Sequence, residues 1–234
     1  MANWLRLLKT GFLVRKNELL LALIVLLYLI LFRFILSIPL REEHIFIFQV
    51  FFLFMENYIT ICAYNGLKES LLKGTLNIGQ LFKNSILFFG RMLLYKMFVG
   101  LVAIIIMSFG FGMIEVVKNA SLVKSTLVML ITIVWLSFPV YLVLLTFLTP
   151  FVIVVDDVPV LSAMKKSVKV LRKNLTTSII LIFSVLPLWV FAFFLLKLYN
   201  EKGLLFQLFL LCLIAILEII TIKIWMLFYQ KTST

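Results

Sequence analysis

The chain is short of polar surface. Charged side chains make up 14% of its 234 residues and hydrophobic ones 64%, with a mean hydropathy of +1.20, where soluble domains carry about 25% charged residues. So little polar surface cannot cover a soluble core, and only lipid can solvate the surplus. Proline is scarce, at 5 copies beside 24 phenylalanines, which excludes a disordered polymer. The apolar stretches are long and lack strand alternation, which excludes a β-barrel. Two cysteines, Cys62 and Cys212, both within apolar stretches, offer neither zinc spacing nor a disulfide framework. His44 is the single histidine and has no HExxH companion, so an intramembrane zinc protease is disfavoured. Neither a Gly-rich phosphate loop nor a GxSxG elbow occurs. The chain therefore reads as a non-enzyme with no metal and no cofactor.

Six stretches reach the roughly 20 apolar residues that a membrane helix needs: about 19–38, 45–65, 92–114, 125–150, 176–197 and 204–228. The first follows Arg6, Lys9, Arg15 and Lys16 without a small-residue cleavage site, so it reads as a retained helix. Three connectors are short, at 37–44, 115–124 and 198–203. The other two, about 66–91 and 151–175, are long and basic. The N-terminus, long connectors and C-tail hold Arg6, Lys9, Arg15, Lys16, Lys68, Lys73, Lys83, Arg91, Lys96, Lys165, Lys166, Lys169, Arg172, Lys173 and Lys231. Against these fifteen, the short connectors hold five: Arg41, Lys118, Lys124, Lys197 and Lys202. The positive-inside rule puts both termini and both long connectors in the cytoplasm. The net charge of +12 lies beside apolar spans, so it serves orientation and anionic headgroups rather than nucleic acid.

Three segments before odd-numbered spans resemble one another: LLKTGFLVRKN (7–17), LFKNSILFFGR (81–91) and AMKKSVKVLRKN (163–174). Superposing Lys9, Lys83 and Lys165 aligns Gly11 with Ser85 and Ser167, then Phe12 with Ile86 and Val168. A basic residue closes each copy at Lys16, Arg91 and Lys173. The implied units run over about 1–66, 67–150 and 151–234 of one transmembrane domain, as parallel repeats. Each copy has helical period and a basic face. The apolar stripes are Trp4, Leu5, Leu8 and Phe12; Ile78, Leu81, Phe82, Ile86 and Phe89; and Leu161, Met164, Val168 and Leu171. Asn3 and Asn77 read as caps, the latter with Gln80 as a capping box, and Asp157 and Pro159 mark the third start. Such helices lie along the inner leaflet with lysines at the headgroups. The plainer alternative makes them elbows that hold the hairpins together.

Residues 147–174 carry a further pattern: Pro150 ending a span, Ile153 and Val154, Asp156 or Asp157, Ala163, Ser167, Leu171, Arg172 or Lys173, and Asn174. This resembles a family of uncharacterised six-helix prokaryotic membrane proteins related to the membrane domain of some glycerophosphodiester phosphodiesterases. The resemblance implies an all-α fold of six transmembrane helices, as three units of interfacial helix plus hairpin. It implies little about activity, and the metal-dependent phosphodiesterase domain is absent from this sequence.

Ionisable groups at membrane depth are costly and default to functional candidates. Glu56, beside Asn57 and Tyr58, is the strongest, and Glu218 the second; either forms a proton- or cation-linked site or locks helices together. Lys223, five residues beyond Glu218, is a poor local partner for it. Arg33 and Lys96 read as snorkelling cations near span ends. Asp156 and Asp157 read as a helix start complementing the dipole, with metal or partner binding as the alternative. Pro139 and Pro187 interrupt spans four and five, shaping packing or lining a transport site. Two functions follow. One is a non-enzymatic accessory or scaffold of the cytoplasmic membrane, contacting anionic lipids, a membrane-protein partner or a second copy through Lys9, Arg15, Lys16, Lys83, Arg91, Lys165, Lys166, Lys169, Arg172 and Lys173. The other is a transporter of a small or lipidic solute that uses Glu56 and Glu218. The orientation has a direct test in a background where Cys62 and Cys212 are alanine. His44→Cys should react with an impermeant maleimide on intact cells, and Lys169→Cys only after permeabilisation; the reverse pattern inverts the topology.

Overall fold

The computed structural model describes residues 2–36, 42–118, 146–197 and 204–233, with single positions at 126, 130, 133, 137 and 141. All elements among them are helices: α1 (Ala2–Phe12), α2 (Lys16–Leu36), α3 (Glu42–Lys73), α4 (Ile78–Lys118), α5 (Thr149–Asp156), α6 (Val160–Lys173), α7 (Leu175–Lys197) and α8 (Leu204–Ser233). Four are long and apolar enough to cross a membrane, over Lys16–Ile35, Ile47–Lys73, Ile78–Ile106 and Phe206–Ser233. A fifth arises if α6 and α7, bent by 93°, count as one broken span. The expected fourth span falls largely outside the described residues, as does Pro139. Within it Thr126, Leu130, Ile133, Ser137 and Tyr141 are helical and exposed at helical spacing. Pro187 lies inside α7.

Helix α2 packs on α3 and α8, α4 on α3, and α7 on α8, while α1 lies against α8 and α5 against α3, α4 and α6. Lipid-type surfaces remain on the outside: Leu27, Phe34, Ile104, Phe183 and Phe194 are exposed. Burial is densest at the basic end of the bundle, where α8 is buried at Ile222, Lys223, Ile224, Trp225, Met226, Phe228 and Tyr229.

The long connectors are mostly helix, which corrects the boundaries read above. Only residues 74–77 separate α3 from α4. Gly74, at φ +71°, ends α3, and its N–H reaches the Ser70 carbonyl at 3.1 Å, a left-handed stop that glycine adopts without strain. Polar residues made 66–73 look like a connector, yet Glu69 and Ser70 are buried. In the second unit the basic segment is no separate helix. It runs unbroken into α4, whose 41 residues span about 60 Å by helical rise, twice the hydrocarbon thickness. No proline interrupts α4. The third unit does break, at Asn174, whose side-chain amide donates to the Val170 carbonyl at 3.0 Å. Asn77 caps α4, accepting the Gln80 N–H at 3.2 Å, and Pro159 is the N-cap of α6. Helix α1 begins at Ala2, so Asn3 lies in its first turn rather than capping it.

The three basic segments share a burial pattern in the register that aligns them. Leu7, Leu81 and Ala163 are buried, as are Gly11, Ser85 and Ser167 four places on, while Lys9, Lys83 and Lys165 are exposed. The expected apolar stripes are split between the two faces: Leu81 and Leu171 are buried, and Leu8, Phe82, Phe89, Met164 and Val168 pack against the core. Leu5, Phe12, Ile78, Ile86 and Leu161 point outward. On the inward face a small residue at position 11 allows close approach: a Cβ on Gly11 would sit 2.2 Å from Ile224 Cγ1. Ile224 is itself fully buried, so overpacking there costs about 1–3 kcal/mol. Gly11→Val should therefore lower stability by that amount in denaturant titrations of the detergent-solubilised protein. Gly90→Ala, at a helical position with nothing within 4 Å, should be neutral or slightly stabilising.

Candidate functional site

Glu56 and Glu218 meet in one cleft. On α3, the residues Gln49, Phe52, Leu53, Glu56 and Thr60 recur at helical spacing and so share a face. Val25, Tyr28, Leu29 and Phe32 do the same on α2, and Glu218 comes from α8. Together with Ile59 these side chains line a cleft of ≈370 Å³. Gln49 and Leu53 are exposed, so the cleft is open. Glu56 is nine residues past Ile47 and Glu218 twelve past Phe206, about 14 and 18 Å along spans of 27 and 28 residues. Both carboxylates therefore lie at mid-depth.

The cleft has one cation nearby. Lys96 of α4 lies 3.3 Å from Glu56 Oε1, so it pairs across helices instead of standing alone near a span end. Glu218 has no hydrogen bond or ion pair among the described residues. Phe32 and Phe52 pack edge to face at 4.8 Å, with Tyr28 at 6.1 and 6.5 Å from them, which makes an aromatic wall. Asn57 turns the other way: it is fully buried and its amide has no partner among the described residues. It does not line the cleft.

The basic end is built differently. Lys223, which sequence spacing left without a partner, donates to the Leu13 carbonyl at 2.6 Å and to Glu18 at 2.8 Å. Both groups of this ion pair are buried, at 2% and 1% side-chain exposure. Glu18 also accepts the Arg15 N–H at 2.9 Å, as the third residue of α2. Asp156 and Asp157 do not start a helix. They end α5, with Asp157 at φ 55°. Asp157 pairs with Arg91 of α4 and Asp156 with Lys166 of α6, each at 2.6 Å, and the Tyr229 hydroxyl donates to Asp156. Lys68 donates to the Val154 carbonyl at 2.7 Å, and Asn17 to the Gly74 carbonyl at 3.0 Å. These bonds tie six helices and three turns at one end.

Of the basic residues singled out from the sequence, Arg91 and Lys166 are thus internal staples. Lys9, Arg15, Lys16, Lys83, Lys165, Lys169, Arg172 and Lys173 are exposed. Lys165, Lys166, Lys169 and Lys173 line a single pocket of ≈510 Å³ with Ser162, Val170 and, from the end of α8, Thr232 and Ser233. His44 is exposed, and both cysteines are free. Sequence reasoning missed Glu18 and the cleft walls Tyr28, Phe32, Gln49, Phe52 and Thr60. The 49–52–53–56–60 spacing on α3 was the available signal for the latter, and the i, i+3 relation of Arg15 to Glu18 for the former.

In the 147–174 pattern, Pro150, Ile153, Val154, Ala163, Ser167 and Leu171 are all buried, and Asn174 caps α6. The pattern therefore encodes the α5–α6 corner. No family model, curated protein or solved structure matches the chain. Fold and sites define an all-helical protein with several helices able to cross a membrane, a basic end and a carboxylate cleft.

Proposed function

We propose that this is a multi-pass protein of the cytoplasmic membrane, with six spans in three units of basic segment plus hairpin and both termini cytoplasmic. It acts as a non-enzymatic accessory or scaffold whose basic face holds anionic lipid headgroups, alone or beside a membrane-protein partner. The observation that carries this reading is the lysine pocket. Lys165, Lys169 and Lys173 recur every four residues on α6, are exposed, and have no partner among the described residues, although they line one pocket. Three unpaired ammonium groups held together repel one another, and a phosphate relieves that repulsion. The 93° turn between α6 and α7 suits a helix lying across the membrane surface beside a span. The outward apolar residues Leu161, Ile86 and Phe12 fit the acyl region beneath the lysines. The resemblance over 147–174 agrees with this architecture.

A second reading, transport of a small or lipidic solute, is favoured by one observation: Glu56 and Glu218 line the same cleft at mid-depth. A packed apolar bundle without that cleft would have removed it.

Each lysine near an anionic surface contributes about 1 kcal/mol. Exchange of Lys165, Lys169 and Lys173 for glutamine should therefore weaken retention of phosphatidylglycerol or cardiolipin by about 3 kcal/mol, or roughly a hundredfold. Native mass spectrometry of the detergent-purified protein reads this directly. Unchanged lipid retention would remove the basis of the scaffold reading.

A further inference from the structure

The cleft combines three features that select the same kind of ligand. Its wall is aromatic, formed by Tyr28, Phe32 and Phe52 with centroids 4.8 to 6.5 Å apart. It contains two carboxylates against one ammonium among the described residues, Lys96, which pairs with Glu56 at 3.3 Å and attracts Glu218 only from farther away. Its volume of ≈370 Å³ suits a compact organic molecule, within the usual range of small-molecule sites. At mid-depth an uncompensated carboxylate is costly and calls for a counter-charge. Glu218 makes no direct ion pair among the described residues, Lys96 being committed to Glu56, and it lines the cleft.

We infer that the cleft binds a monovalent organic cation with an apolar body, its charge at Glu218 and its body on the Tyr28–Phe32–Phe52 wall. The chemistry is complementary at both ends. Aromatic faces attract ammonium and phosphonium centres through their quadrupoles, most strongly where water is excluded. The apolar residues Val25, Leu29, Leu53 and Ile59 take the rest of the molecule. An inorganic cation would gain nothing from these walls, and an anion would face two carboxylates. Lys96 competes from inside the protein, so it sets how much negative charge the ligand meets. This inference rests on the second reading above, that the cleft admits a ligand, and adds the ligand's charge and class.

The test uses methyltriphenylphosphonium and the full chain in detergent micelles, with binding read by equilibrium dialysis against protein-free micelles. Saturable binding is expected, weakened at least tenfold by Glu218→Gln and unchanged by Lys73→Gln, at an exposed position that does not line the cleft. Lys96→Met should tighten binding, because it removes the competing ammonium; a variant that merely loosened the fold would not do so. Neutral triphenylphosphine oxide, of nearly the same shape, should bind at least tenfold more weakly. If the oxide binds as tightly, or if Glu218→Gln leaves phosphonium binding intact, the assignment of a cation is wrong while the cleft still admits a ligand. If neither probe binds saturably, both the inference and the transport reading fall.

Discussion

The buried ion pair between Lys223 and Glu18 sets the geometry on which the basic end depends. Its ammonium holds the carboxylate and the Leu13 carbonyl at once, so α8 grips both the turn after α1 and the first turn of α2. The neighbouring Ile224 fills the space opposite Gly11. Two consecutive residues of α8 therefore locate α1 and α2 together. A pair this buried adds little net stability over an apolar replacement, but losing one partner leaves a bare charge in a site of low polarity. Its value lies in permitting one arrangement of the elbow.

Around that pair the polar residues divide by depth. At the basic end several half-buried cations have partners on other elements: Lys68 on the Val154 carbonyl, Arg91 on Asp157, Lys166 on Asp156. At mid-depth, Glu218 in the cleft and Asn57 in the interior make no hydrogen bond among the described residues. A rigid base below a cleft with an uncompensated carboxylate separates what holds the fold from what can bind. The lysines left over from the stapling, Lys165, Lys169 and Lys173, face outward at the base, where anionic headgroups lie if that end is cytoplasmic.

Much of the helical architecture was legible. Apolar length alone located α2, α4, α7 and α8, because each crosses roughly 20 residues without a break. The lysine register of 9, 83 and 165 likewise located the buried column of Gly11, Ser85 and Ser167. What misled was polarity taken as exposure. Glu69 and Ser70 read as connector, yet they are buried in the last turns of α3, where Asn84 of α4 donates to Glu69. The expected apolar stripes are split, with Leu81 and Leu171 buried but Leu5, Ile86 and Leu161 exposed, and the small residues Gly11, Ser85 and Ser167 complete the packed face. Lys223 and Glu18 are 205 positions apart, and no local periodicity links them. Glu56 and Glu218 were legible as costly residues at depth; that they share a cleft depends on how α2, α3 and α8 cross.

The most direct test of this account is a double-mutant cycle on Glu18 and Lys223, read by reversible unfolding in mixed micelles. Glu18→Gln and Lys223→Met should each cost about 3–5 kcal/mol, as removal of one partner of a buried pair does. The double variant should cost far less than the sum, because neither charge is then left unpaired. Additive losses, or single losses below about 1 kcal/mol, would contradict the placement of this pair at the centre of the fold.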